Sequence, residues 1–337
     1  MQILLYCEFI RAGRFLIGDR SLRMALPPGF RERRSYTSHM IISGGGYEAN
    51  IRLNGGGLSK LTFRNRNIVE PYSTETNSKY FGGALLAPWP NRVRDGRYMI
   101  GGTEYQLPIN EGSRNNALHG LIDNLEWFIH ARSDSELELE TTLAESAAYP
   151  SSLQMKVRYR LSERGLEWRL RAKNIGEKQV PYGASIHPYL VAESGSKVND
   201  WLLELPAEEV LKVDLERLLP IELRRVDREE LDFREKSLIN VREIDHAFKV
   251  VESPSERKIE VTGPTGEGVR IYFDSASSWI QIHTADRDGD NSGRSCLAVE
   301  PMSCPPDAFN SGTNLVMLSP GEEHLMNWRI EAIKQQI

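Results

Sequence analysis

The chain has 337 residues with 42 basic and 47 acidic side chains, a net charge of −5, and so offers no general footprint for nucleic acid or an anionic membrane. No run approaches the roughly 18 apolar residues of a membrane span, and the three cysteines, Cys7, Cys296 and Cys304, make no recognisable disulfide or zinc spacing. Free thiols point to a reducing compartment, with the cytoplasm as the expected location.

Residues 1 to 40 differ in composition from the rest of the chain. They carry seven Arg, no Lys and the acids Glu8, Asp19 and Glu32, a net of about +4, which leaves about −9 for the remainder. Pro27-Pro28-Gly29 and Arg31-Glu32-Arg33-Arg34 show no periodicity, so the stretch reads as a mobile Arg-rich extension. Met40 is a candidate start of the native chain. An organelle-targeting peptide is the competing reading, weakened by the three acids.

From residue 41 onward the dominant signal is alternation, the period of a strand with one buried face. Gly44-Gly45-Gly46 and Gly55-Gly56-Gly57 flank a short strand with no helix behind it and read as turns. In Pro88-Trp89-Pro90-Asn91-Arg92-Val93-Arg94-Asp95-Gly96, two prolines hold the backbone so that an amide and a guanidinium are presented together. Asn91 offers a donor and an acceptor and Arg92 a rigid fork, which suits vicinal hydroxyls, although an Asn-Arg pair before a Gly turn is more often surface. Ala117-Leu118-His119-Gly120 sets an imidazole beside a glycine, followed by Asp123, Asn124 and Trp127; a lone His is more often structural.

Leu137 and Leu139 alternate with acids, and Leu153, Met155, Val157, Tyr159 and Leu161 interleave with Gln154, Lys156, Arg158 and Arg160. After Ser162-Glu163-Arg164-Gly165 the pattern resumes at Leu166, Trp168, Leu170 and Ala172, a long hairpin. In Ser185-Ile186-His187-Pro188-Tyr189, Pro188 fixes an imidazole in extended backbone within an apolar strand, where an ionisable ring is costly unless it is hydrogen-bonded or has a use. Glu208 to Arg217 and Arg225 to Phe233 have the most helical composition and read as short turns, since neither sustains a 3.6-residue period.

Alternation continues through Ile259/Val261, Val269/Ile271/Phe273, Ile280/Ile282 and Leu325 to Ile333. In Glu243-Ile244-Asp245-His246-Ala247-Phe248, Asp245 can clamp hydroxyls or close a turn. In Trp279-Ile280-Gln281-Ile282-His283-Thr284, Gln281 and His283 share a strand face with Trp279, and a buried Gln needs partners. Glu300 closes the apolar run Cys296-Leu297-Ala298-Val299 and precedes Pro301, which forbids αR there and leaves Glu300 extended at a strand end. Pro305 and Pro306 stiffen the exit. Such a carboxylate is either a general base or a solvated Glu before a turn.

No linker, repeat or composition break divides 41 to 337, so the expectation is one large all-β domain, a mostly antiparallel sandwich. Trp127, Trp168, Trp201, Trp279 and Trp328 are expected mostly in its core, with one or two lining a cleft. There is no Gly-rich phosphate loop, nucleophile elbow, His-Glu-x-x-His helix or paired-cysteine metal box. No metal and no cofactor are therefore expected, and proton transfer between a carboxylate and an imidazole is the simplest remaining chemistry.

Taken in order, these segments resemble the aldose 1-epimerase (mutarotase) family over about residues 41 to 335. The resemblance implies a galactose mutarotase-like β supersandwich. It makes Glu300, with Pro306-Asp307-Ala308 downstream, the general base, and His187 of His187-Pro188-Tyr189 the general acid. Asn91, Arg92, His119, Asp245 and Gln281 then hold the sugar hydroxyls. The reaction implied is interconversion of the α and β anomers of a free monosaccharide by a carboxylate and an imidazolium whose charges favour each other, without a cofactor, in a monomer or homodimer. The chain departs from the family at His119-Gly120-Leu121 where His-Gly-Gly is usual, at Leu190-Val191-Ala192 after the His-Pro-Tyr, and at Met302 where galactose-type members commonly carry Gln. These changes bear on which sugar is taken. Three other readings compete: a hexose-6-phosphate 1-epimerase with Arg94 and Arg97 beside Arg92 as a phosphate clamp, a non-catalytic sugar-binding or sensing protein, and a glycosidic-bond-cleaving enzyme with Asp245 as second carboxylate.

Overall fold

The computed structural model describes residues 38–72, 80–251, 256–286 and 293–334. The Arg-rich stretch up to residue 37, with Cys7, lies outside them. The alternating segments form two large antiparallel sheets, of twelve and nine strands, with three two-stranded ribbons beside them. The first strand, His39–Gly44, pairs with Tyr47–Arg52 and buries Met40, so the sheet takes in two residues ahead of the expected boundary at 41. Gly45 and Gly46, both at positive φ, make the intervening turn.

The long hairpin lies in the nine-stranded sheet. Leu153–Ser162 pairs with Gly165–Asn174 without a register slip, Leu153 opposite Asn174 and Ser162 opposite Gly165. Its alternate residues Met155, Val157, Tyr159, Trp168 and Leu170 are buried, each contributing about 1.5–3 kcal/mol for the larger aliphatic and aromatic groups. Glu323–Ile333 joins Gly165–Asn174 and places Trp168 directly opposite Trp328, ring centroids 6.3 Å apart, in the core. Trp127, Trp168, Trp201, Trp279 and Trp328 are all at most 2 % exposed, with Trp168 and Trp328 also at the wall of a cavity lined by Arg158, Tyr272 and Arg329.

Two expectations are corrected. Ala207–Val213, where the composition suggested a helical turn, is a strand between Asp245–Val250 and Pro220–Arg225. Its register slips between Ala207 and Glu209 on one side and between Lys212 and Val213 on the other. Between the bulges Val210 and Leu211 are regularly paired and face opposite sides, Val210 into the main core and Leu211 against Trp279 and Met302, so both faces are covered and the two-residue period is lost. The segment from Arg225 holds a single 3₁₀ turn, Val226–Arg228.

Glu300, expected at a strand end, lies inside the strand Leu297–Met302, which runs through Pro301 near the middle of the twelve-stranded sheet. One flank is Trp279–His283; the other is shared by Tyr189–Leu190 and Ser185–Ile186. The N–H groups of Val299 and Ser303 donate to the carbonyls of Pro188 and Ala184 on that second flank. Pro301 lies midway and faces the same side, toward Ile186, whose carbonyl accepts from Ser185 Oγ at 3.1 Å. Its missing N–H therefore removes no bond to Trp279–His283, which is how a central strand tolerates it.

Candidate active site

Strand register brings the late-chain candidates together. Gln281 lies directly opposite Glu300, Ala247 opposite Gln281, and Asp245 opposite His283. Opposed residues share a face, as does every second residue along a strand. Glu300, Gln281, His283 and Asp245 thus emerge on one side of the sheet. Gln281 donates through Nε2 to Asp245 Oδ1 at 2.7 Å. Gln281 Oε1 and Glu300 Oε2 are buried acceptors with no donor among the described residues, each a cost of about 1–3 kcal/mol that a ligand hydroxyl would relieve. The next opposed pair, Trp279 and Met302, is packed with Leu211 and Ala247, so Met302 gives the site an apolar flank.

His187 is placed by backbone bonds. Its N–H donates to the Ala84 carbonyl at 3.0 Å, its own carbonyl accepts from Gly83 N–H at 2.8 Å, and Ser185 Oγ donates to the Pro301 carbonyl at 2.9 Å. The ring stacks on Tyr189, centroids 5.0 Å apart, and its Nε2 stands 3.3 Å from Glu300 Oε1. Both residues are buried. Burial, and then the charge of Asp245, push the Glu300 carboxyl well above the usual carboxylate range, with Arg92 opposing. Desolvation outweighs the attraction of Arg92.

His119 has φ +61° and is followed by Gly120 at φ +82°, where a Cβ would stand 2.1 Å from the Ala87 carbonyl oxygen. This turn fixes the ring between Phe81 and His187, at centroid distances of 4.7 and 5.2 Å. Asn91 N–H donates to His119 Nδ1 at 3.2 Å, and His119 N–H to the Asn91 carbonyl at 2.9 Å. Since a backbone N–H can only donate, Nδ1 accepts and the proton of the neutral ring sits on Nε2. Burial first, then the neighbouring His187, Arg92 and His283, lower the His119 pKa well below the usual value and favour its neutral ring. The ligating atoms of His119, His187 and Glu300 lie within 4.8 Å of one another. A protonated Nε2 cannot ligate a metal, so this cluster fits hydrogen-bond donation to a hydroxyl better than a metal centre.

Asn91, also at positive φ, does not present its amide as the sequence suggested. Its Oδ1 turns back to accept from Arg92 N–H at 2.9 Å. Arg92 in turn gives Nε and Nη2 to the two oxygens of Glu111, both at 2.9 Å, leaving Nη1 facing Asn91 Oδ1 at 3.5 Å. Burial lowers the guanidinium's proton affinity, but Asp245, Glu111 and Glu300 more than compensate and keep it charged. Arg94 is drawn instead to Asp307, backbone N–H to Oδ1 at 2.9 Å and Nε to Oδ2 at 3.4 Å, and Arg97 to Gln106 at 3.3 Å. Asp307 N–H also donates to the Arg92 carbonyl at 2.6 Å, so the Pro306-Asp307-Ala308 turn anchors the Asn91-Arg92 segment. Neither Glu111 nor the anchoring role of Asp307 carried a signal in its own neighbourhood of the sequence.

A profile of the aldose 1-epimerase family matches residues 38–331. A protein of Escherichia coli K12, YihR, described as uncharacterized, is 38 % identical over 290 residues, covering 86 % of this chain and 91 % of its own. Galactose mutarotase of Bos taurus is 27 % identical over 270 residues, covering 73 % of this chain and 76 % of its own. Galactose 1-epimerase from Lactobacillus acidophilus NCFM shares the fold with a TM-score of 0.73 at 20 % identity, covering 90 % of this chain and 98 % of its own. A galactose mutarotase-like protein from Clostridium acetobutylicum does so with a TM-score of 0.76 at 21 % identity, covering 87 % and 94 %. The chain, a galactose mutarotase-like β supersandwich, belongs to the aldose 1-epimerase family.

Proposed function

We propose that this protein interconverts the α and β anomers of a free aldose. The observation that carries the reading is the buried Glu300–His187 pair, 3.3 Å apart, beside the two acceptors that lack donors. Glu300 as carboxylate takes the proton of the anomeric hydroxyl while His187 as imidazolium gives one to the ring oxygen, so the C1–O5 bond breaks and the open-chain aldehyde forms. Rotation about C1–C2 exposes the other carbonyl face. Closure reverses both transfers and returns each group to its starting state. Asp245, Gln281 and His119 Nε2–H hold the remaining hydroxyls, and Arg92 adds positive charge beside Glu300. Each positioned acid or base is worth about 10²- to 10⁴-fold, enough for a reaction that already proceeds in water.

The phosphate-clamp reading finds less support, because Arg92 and Arg94 are already paired with Glu111 and Asp307 and Arg97 is held by Gln106. Magnetisation-transfer NMR on a panel of aldoses and aldose 6-phosphates at anomeric equilibrium tests the proposal. Exchange faster than the buffer blank for at least one free aldose is expected, and the blank rate across the whole panel would reject it.

A further inference from the structure

Glu111 has no part in the chemistry above, yet it is the residue most tightly bound to the Arg92 guanidinium. Its backbone is tied to Asn116 by reciprocal bonds, N–H to carbonyl at 3.2 and 3.3 Å. Its carboxylate takes Arg92 Nε and Nη2 at 2.9 Å each, Asn116 Nδ2 at 3.0 Å and Arg114 Nη1 at 3.2 Å. Asn116 is held in turn by Arg217, whose carbonyl accepts from Asn116 Nδ2 at 3.0 Å and whose Nη2 donates to Asn116 Oδ1 at 3.3 Å. Glu111 and Arg92 side chains are only 10 % and 11 % exposed, so the two-pronged geometry is shielded from water and screened little by salt.

We propose that Glu111 is a positioning residue that fixes the plane of the Arg92 guanidinium and sets how much of its positive charge reaches Glu300. The inference rests on the reading of Glu300 as the base. A planar fork held at two nitrogens cannot rotate about its last side-chain bond, so the Nη1 edge stays beside Asn91, where a sugar hydroxyl can accept from it. The charges in play are few. Glu111 meets Arg92 and Arg114; Arg92 meets Glu111, Asp245, Glu300 and the ring of His119; Glu300 meets His187, Asp245 and Arg92. Burial works against the ionised Glu111, but Arg92, Asn116 and Arg114 hold it below the usual carboxylate range, so it stays charged wherever the base is charged. Neutralising Glu111 leaves Arg92 uncompensated and free to lean toward Asp245 and Glu300. Both consequences favour the Glu300 carboxylate.

The test pairs two measurements on wild type, Glu111→Gln and Glu111→Asp. Anomer exchange is followed across pH, and the titration of Glu300 is read directly from its carboxyl carbon in Glu-labelled protein, assigned with Glu300→Gln. Glu111→Gln is expected to raise KM at least about fivefold and to move the Glu300 midpoint, and the acid limb of kcat/KM, down by roughly half a pH unit or more. Glu111→Asp, which keeps the charge, should hold the midpoint near wild type while KM still rises. An even loss of rate at all pH with an unmoved midpoint overturns the inference. If wild type exchanges no aldose while the midpoint still falls in Glu111→Gln, the link between Glu111 and Glu300 stands and the mutarotase reading fails.

Discussion

Replacing Glu300 by Gln keeps the shape of the side chain and removes its charge, so activity and stability should move in opposite directions. Loss of the base is expected to lower kcat by about 10²- to 10⁴-fold, or about 2.7–5.5 kcal/mol at 1.36 kcal/mol per decade. Stability follows from burial. Glu300 is 2 % exposed, one oxygen lacks a donor, and its pKa is raised in the folded state by burial first and Asp245 second. A carboxyl with a raised folded pKa binds its proton more tightly folded than unfolded. Its stabilising contribution is therefore present below the unfolded value of about 4.3 and is lost as pH rises toward the folded value. Gln cannot ionise, so the variant should match wild type in acid and melt higher at mildly basic pH. A gain of about 1–3 kcal/mol, the scale of one unsatisfied buried polar group, corresponds to roughly 2–4 °C per kcal/mol for a large domain. Thermal melts followed by circular dichroism at the two pH values, alongside NMR anomer exchange, supply both readouts. A Glu300→Gln protein that keeps wild-type exchange, or that melts lower at basic pH than in acid relative to wild type, would refute the reasoning.

In the proposed mechanism His187 and Glu300 work as a pair, so His187→Asn should cost about as much as Glu300→Gln, and the double variant little more than the worse single one; multiplicative losses in exchange rate would separate the two groups. The acid limb of kcat/KM in wild type should lie above about pH 4.3, the ordinary Glu value, and Asp245→Asn should move it lower by removing the second cause of the raised Glu300 pKa, with KM rising as a hydroxyl partner is weakened. His119→Ala should lower kcat/KM by about ten- to a hundredfold, the worth of one to two hydrogen bonds, without moving either limb of the pH profile, since the ring is neutral throughout. Gly120→Ala places a Cβ 2.1 Å from the Ala87 carbonyl at φ +82° and should destabilise by about 1–3 kcal/mol or more in chemical denaturation.

Much of the fold was legible because its strands keep a two-residue period. The hairpin from Leu153 and the strands around Val269 and Leu325 are where alternation placed them. Legibility failed where a bulge or a proline interrupts the period, as in Ala207–Val213 and at Pro301. In the site, spacing set Gln281 and His283 on one face of their strand, with Glu300 and Asp245 on two other strands. Their meeting depends on register between strands far apart in sequence, which no local pattern encodes. At Asn91 the residue type suggested a sugar contact, and what local sequence did not show is that positive φ turns Oδ1 onto the following N–H while the backbone N–H donates to His119 Nδ1.

A brace at His187 explains why a polar site is seated in the middle of a sheet rather than on a loop. His187 lies between Ser185–Ile186 and Tyr189–Leu190, where the register on either side, Ser185 opposite Met302 and Tyr189 opposite Ala298, sets it opposite Glu300, and its N–H and carbonyl point away from Leu297–Met302 to bond with Ala84 and Gly83. The residue of that flank facing Pro301 is Ile186, whose carbonyl accepts from Ser185 Oγ at 3.1 Å in place of the missing N–H. Opposed residues share a face, so the imidazole stands 3.3 Å from the carboxylate one residue before the proline.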